Sequence, residues 1–308
     1  MIFDSISIIG AVLDYASLAF ILALVLAGMW LAPAESSADV IQRRYLLLTA
    51  LIISALSAII DLIFRSAALA DVPPLETMEF IPKVLDQSDF GFFWLLRAVT
   101  WLAMASILAW IWFGGRGIFP CVVLLTGTLV TALLISGTSH AGDNGIWTVE
   151  NLINWLHLLG IAAWGGAVLL YAFVILPGLT QQTNPLQIAA TVSRLSSLAT
   201  GALGVVIITG VFNSWRQLGE ISNLWNSDYG QMLLIKLALV SIMMTIGALN
   251  RFYFVPQIEL WHKDKNRQGT KPVQIFHRLL RVDSIVFITI LIAAVILGMQ
   301  SPPSHDAM

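Results

Sequence analysis

Apolar residues in this chain come in long, nearly unbroken runs, without the alternation or one-sided stripes of water-soluble elements. Eight such runs are centred in roughly Ile8–Leu31, Tyr45–Leu69, Phe90–Phe113, Ile118–Ser136, Leu152–Leu176, Val192–Trp215, Gln231–Phe254 and Leu280–Gln300. Crossing ~30 Å of hydrocarbon takes about 20 residues of helix, so each run predicts one membrane-spanning helix. The breaks carry turn formers and charge, as at Pro73-Pro74, Gly114-Gly115 and Pro177-Gly178. Strands of a membrane barrel would show short alternating segments, and none occur. The predicted fold is all-α, a polytopic bundle of about eight transmembrane helices. Residues 1–308 are expected to form a single integral-membrane domain. No internal repeat stands out.

Composition strengthens that picture. Of the 308 residues 58% are hydrophobic and 11% charged, with a mean hydropathy of +0.84. Soluble domains carry about 25% charged residues, so a chain this short of charge needs lipid as its solvent. The lone cysteine, Cys121, excludes an internal disulfide framework and a multi-thiolate metal site. The first apolar run has no basic leader and precedes Arg43 and Arg44, so it is expected to be retained as a helix.

Charge sets the expected orientation. Placing the first loop in the cytoplasm puts Arg43, Arg44, Arg116, Arg194, Arg251, Lys263, Lys265, Arg267, Lys271, Arg278 and Arg281 on that side, most of the 16 basic residues. The opposite side keeps an acidic loop from Asp71 to Asp89. Both termini are therefore expected in the periplasm. Trp94, Trp147, Trp155, Trp215 and Trp225 fit interfacial belts.

Ionisable groups within a bilayer are expensive and usually face a cavity or a partner. Asp14, Asp61, Arg65, Arg97, His140, His157 and Lys236 all fall in the expected outer half, and Asp61 and Arg65 stand one turn apart. Their common level suggests a polar chamber open to the outside; mutual pairing and outward snorkelling of Arg97 and Lys236 are the plainer alternative. Asp283 sits alone near the cytoplasmic end of the eighth run, and Asn250 closes the seventh. Imidazole is a common ligand that suits copper, and His140 and His157 are the two histidines of this region. The face of His157 also carries Asn154, Ile161 and Trp164. Met232 and Met243 recur on one face of the seventh run with Tyr229, Lys236, Gly247 and Asn250, and thioethers select Cu(I). Methionine also fills gaps in apolar packing. His305 lies in the C-terminal tail and is a weaker candidate.

Several chemistries are missing. There is no phosphate-binding loop of the G-x-x-x-x-G-K-[ST] form, no His-Glu-x-x-His and no Gly-x-Ser-x-Gly elbow, so neither ATP hydrolysis nor another enzymatic role is expected. No nucleic-acid partner is expected either.

Thr138-Ser139-His140-Ala141, Asn154-Trp155-Leu156-His157-Leu158-Leu159 and Trp164-Gly165-Gly166 resemble the CopD family of bacterial copper-resistance membrane proteins. So do Thr209-Gly210-Val211-Phe212-Asn213, Asp228-Tyr229-Gly230, Leu234-Ile235-Lys236, Gly247-Ala248-Leu249-Asn250-Arg251 with Pro256, and Ser301-Pro302-Pro303. The likeness is strongest over 138–303; in the first four helices Phe90-Gly91 to Leu96-Arg97 is its best piece. It implies an inner-membrane protein that binds copper ion, as Cu(I) or Cu(II), at periplasm-facing His140 and His157, and moves it toward the cytoplasm. It also implies a separate CopC-like periplasmic copper carrier as a partner. The chain departs from the family with Asp14 and Tyr15 where relatives often have a first-helix histidine, Asp283 where Glu is common, and Leu195 within an Arg-Phe-Ser pattern. A b-type haem redox protein using both histidines and a non-transporting copper chaperone or assembly scaffold are the alternative expectations.

Overall fold

A computed structural model describes residues 2–32, 36–115, 117–182, 185–263 and 271–303. Eight helices among them are long and apolar enough to cross a membrane: α1 Ser5–Leu31, α2 Ala38–Ala70, α3 Asp89–Trp112, α4 Ile118–Gly137, α5 Val149–Thr180, α6 Leu186–Leu218, α7 Asp228–Leu260 and α8 Pro272–Gly298. The remaining described elements are short helices, including Ile81–Gln87 before α3 and Asn223–Asn226 before α7. The architecture is thus the expected all-α membrane bundle.

Several helices run further than the apolar pattern implied, and in three the cause is local. The α2 helix begins well before Tyr45 because Ser36 and Asp39 form a reciprocal capping box, with both hydrogen bonds at 3.1 Å. In α5 and α7 the chain continues through Pro177 and Pro256. A proline inside a helix lacks a donor and collides with the carbonyl four residues earlier. Each of these prolines stands two residues beyond a widened π turn, Tyr171–Ile175 and Asn250–Phe254, and that turn contains the carbonyl in question. A third π turn, Ala27–Leu31, ends α1 two residues before Pro33 in sequence.

The chain divides into two compact units. One comprises described residues within 1–25 and 34–159; the other those within 26–33 and 160–308. In the first, the Trp94 indole donates to the Ala58 carbonyl at 2.9 Å, joining α3 to α2. The Trp155 indole donates to the Leu129 carbonyl at 3.0 Å, joining α5 to α4. Leu18, Ala132 and Ile135 form a buried apolar cluster covered by Tyr15, Trp155, Leu158 and Leu159.

In the second unit the Phe287 ring lies on Gly165, so close that a Cβ there would sit 2.0 Å from a ring carbon. Side chains take up carbonyls around the π turns. Arg194 Nη1 donates to Trp30 O at 3.0 Å, the Tyr171 hydroxyl lies 3.2 Å from Leu31 O, and His277 Nε2 lies 2.7 Å from Ala172 O.

Against the expectation of no internal repeat, the structure contains one. Helices α1 and α5 each contain a π turn near their C-terminal end, with a proline two residues on in sequence. The second helices, Ser37–Ala70 and Pro185–Leu218, each run 34 residues. The third opens with Ser88-Asp89-Phe90-Gly91 in α3 and Ser227-Asp228-Tyr229-Gly230 in α7. Each serine caps its helix by accepting from the glycine N–H at 3.0 Å. Each glycine is required, since a Cβ would meet a backbone carbonyl of the preceding short helix at 2.2 Å in the first case and 2.1 Å in the second. Nine residues after the serine comes a basic side chain, Arg97 or Lys236, and seven later a buried methionine, Met104 or Met243.

Candidate metal centre

Asp14 and Arg97 are both buried, and the Arg97 Nη2 donates to the two Asp14 carboxylate oxygens at 2.9 and 2.8 Å. Ser54 Oγ adds a third donor to Asp14 at 3.1 Å. The Trp101 ring faces the guanidinium carbon at 4.9 Å, a cation–π contact. The Asp14 carboxylate is thus met by charge-assisted hydrogen bonds, while the buried Arg97 Nε makes none.

The pair expected one turn apart on α2 is also formed, with Arg65 Nε donating to Asp61 at 3.0 Å. Its other branch reaches out of the helix: Arg65 Nη1 donates to the Thr138 carbonyl at 2.9 Å. Thr138 closes α4, and Ser139 and His140 follow it. The end of α4 is fixed from a second side by α5. Ser136 Oγ donates to Asn151 Oδ1 at 2.7 Å, while Asn154 Nδ2 donates to Ser136 Oγ at 2.9 Å and to Ser139 Oγ at 3.2 Å.

This network ties the chain just before His140 to the helix that carries His157. His140 is the residue after Ser139, and His157 stands one turn beyond Asn154 on the same helix face. His140 is exposed, its Nδ1 lying 3.6 Å from Asp143, and His157 is half-buried. His140 opens a short helical turn just after α4, and His157 lies within α5. Among the described residues no group of three or more His, Cys, Asp and Glu could hold one ion.

Six of the seven expected chamber residues therefore lie in the first unit, four of them joined in two ion pairs. The seventh, Lys236, is in the second unit, half-buried on α7, without an ion pair among the described residues. Met232 packs against the apolar cluster of Tyr229, Leu233 and Leu297. Met243, Asn250 and Asp283 are buried in the second unit, and the Asn250 and Asp283 Oδ1 atoms make no hydrogen bond there. His305 lies outside the described residues. The second unit also has a cavity of about 710 Å³ lined by Glu220, Asp228, Tyr229, Gln300 and Ser301, with the Tyr229 hydroxyl donating to Gln217. Ser136, Asn151 and Ser54 give no signal in the sequence beyond a polar residue inside an apolar run.

Fold and site together define a class: a multi-pass helical membrane protein with ion pairs and polar hydrogen-bond networks among its apolar helices. Two family models match it, Copper resistance protein D over residues 189–297 and Copper resistance protein D-like, N-terminal domain over residues 1–149. The chain belongs to the copper resistance protein D family. It is 25% identical to the Copper resistance protein D of Pseudomonas syringae pv. tomato over 99% of both chains. It is 28% identical to Inner membrane protein YebZ of Escherichia coli (strain K12), over 80% of this chain and 83% of that protein. A 26% identity to Copper transport protein CutJ of Bacillus subtilis (strain 168) spans 73% of this chain and 39% of that longer protein. No solved structure matches. With its eight apolar helices the chain is a multi-pass protein of the inner membrane.

Proposed function

We propose that this protein captures copper at His140 and His157 and passes it across the inner membrane toward the cytoplasm. The observation that carries the reading is the Ser139–Asn154 hydrogen bond at 3.2 Å, which ties the segment bearing His140 to the helix bearing His157. The orientation proposed from the Lys and Arg distribution puts both termini and this site in the periplasm. An exposed His140 then meets copper first, and the half-buried His157 receives it. A separate CopC-like periplasmic carrier is the proposed donor, and the role is that of a carrier with no catalysed reaction. The family match and the CutJ and Pseudomonas relatives, whose names specify copper transport and resistance, support the cargo.

Asp14 and Arg97 neutralise each other within the bundle and serve its structure, while Arg65 positions the end of α4 through Thr138. The test is copper uptake into sealed proteoliposomes. Uptake lost in His157→Ala, with normal reconstitution, supports the proposal. Copper that binds wild type without entering the vesicles supports the scaffold reading and removes the transport claim.

A further inference from the structure

The repeat supplies an internal control. Met104 in α3 and Met243 in α7 occupy equivalent positions and are both buried. Met104 lies over Gly127 of α4, whose added Cβ would be 2.7 Å from Met104 Cγ. One heptad on, α3 has Ile111, and the helix ends at Trp112. At the same place α7 has Asn250, opening a π turn with no counterpart in α3. π turns recur at functional sites. The second repeat thus departs from the first at one level of the bundle.

The helix facing that level brings a carboxylate. Leu297 of α8 packs with Tyr229 and Leu233 of α7, so the two helices run antiparallel. Fourteen residues back from Leu297 is Asp283; fourteen on from Tyr229 is Met243, and fourteen on from Leu233 is Gly247. Asp283 therefore falls at a level between Met243 and Gly247, within about one ~5.4 Å turn of Met243 and about one and a half turns from Asn250. Met243 is 1% exposed, Asn250 6% and Asp283 2%, whereas Ile242, Leu249, Val282 and Ile285 are exposed on the opposite faces. The π turn that begins at Asn250 packs directly on α8. The Oδ1 atoms of Asn250 and Asp283 have no hydrogen-bond donor among the described residues, and Asp283 has no ion pair there.

We infer that Met243, Asn250 and Asp283 form a second, inner site for a monovalent metal cation, which the cuprous cargo occupies after leaving the histidines. A buried carboxylate without a counter-charge is costly. One monovalent cation leaves the site neutral, while a divalent ion strands a net positive charge at low dielectric. The thioether adds the soft donor that Cu(I) favours, and the two oxygens complete the set. The inference rests on the proposed copper route, but its ligands are independent of the histidine site.

The test is metal counting on the full-length, detergent-purified chain, using Ag(I) as a redox-stable monovalent probe. Wild type is expected to retain roughly two equivalents after desalting, and Asp283→Asn, Met243→Leu and His140→Ala/His157→Ala roughly one each. Zn(II) in excess is expected to leave the inner equivalent in place. Wild-type retention in both Asp283→Asn and Met243→Leu overturns the inner site, even if the histidine variant loses its equivalent and the outer site stands. Displacement by Zn(II) overturns the monovalent selectivity. Loss of silver in the inner variants but not in the histidine variant keeps the inner site and removes the outer one. Both inner substitutions are nearly isosteric, and if Asp283→Asn fails to fold, Met243→Leu decides.

Discussion

Arg97 and Asp14 lie 83 positions apart in sequence and meet in the first unit through two hydrogen bonds of 2.9 and 2.8 Å. Asp14→Ala leaves a buried guanidinium without its counter-charge. The expected loss is about 3–5 kcal/mol, seen as a lower unfolding temperature in detergent. A double Asp14→Leu/Arg97→Met variant is expected to recover most of it, because replacing a whole buried pair with apolar residues is near neutral. Equal destabilisation of the single and double variants would contradict the pair's structural role.

Lys236 occupies the position of Arg97 in the second repeat but has no acidic partner among the described residues. Lys236→Met is therefore expected to leave the unfolding temperature close to wild type, whereas Arg97→Met lowers it strongly. The same thermal scans decide, and a large loss in Lys236→Met would show that the two positions are held alike.

Gly91→Ala and Gly230→Ala should fail in parallel, since both place a Cβ at about 2 Å from backbone oxygen. Each is expected to cost about 1–3 kcal/mol or more by overpacking. Gly178→Ala, with nothing within 4 Å of its added Cβ, serves as the tolerant comparison. Folded yield and thermal unfolding of the three variants check this; tolerance at Gly91 or Gly230 would argue against the shared cap.

Asn154→Ala removes the donor that ties α5 to Ser136 and Ser139. Copper affinity at the histidines is expected to fall about 10–100-fold, as when the partners that orient metal ligands are lost. Competition with a chelator measures it. Unchanged affinity would mean that the histidines need no help from this network.

Much of the fold can be read in the chain because lipid imposes a simple rule: a backbone in hydrocarbon must be helical, and the run must be long enough. The ends of helices followed other physics. The capping box at Ser36 extended α2 through a polar stretch, and widened turns carried α5 and α7 past Pro177 and Pro256. The repeat rests on a cap, a basic residue, a methionine and proline spacings, too few identities to show before the shared geometry was visible. At the site, the spacing of Asp61 and Arg65 announced their ion pair. No spacing could join Asp14 to Arg97, or Arg65 to Thr138, because those partners meet only after helices pack.

The most direct test of the central claim is the metal content and visible spectrum of the detergent-purified protein, wild type against His140→Ala/His157→Ala. The account predicts copper bound to wild type, one equivalent of it lost in the double variant, and no Soret band in either protein. A double variant that holds as much copper as wild type, or a Soret band that vanishes with the two histidines, would contradict it.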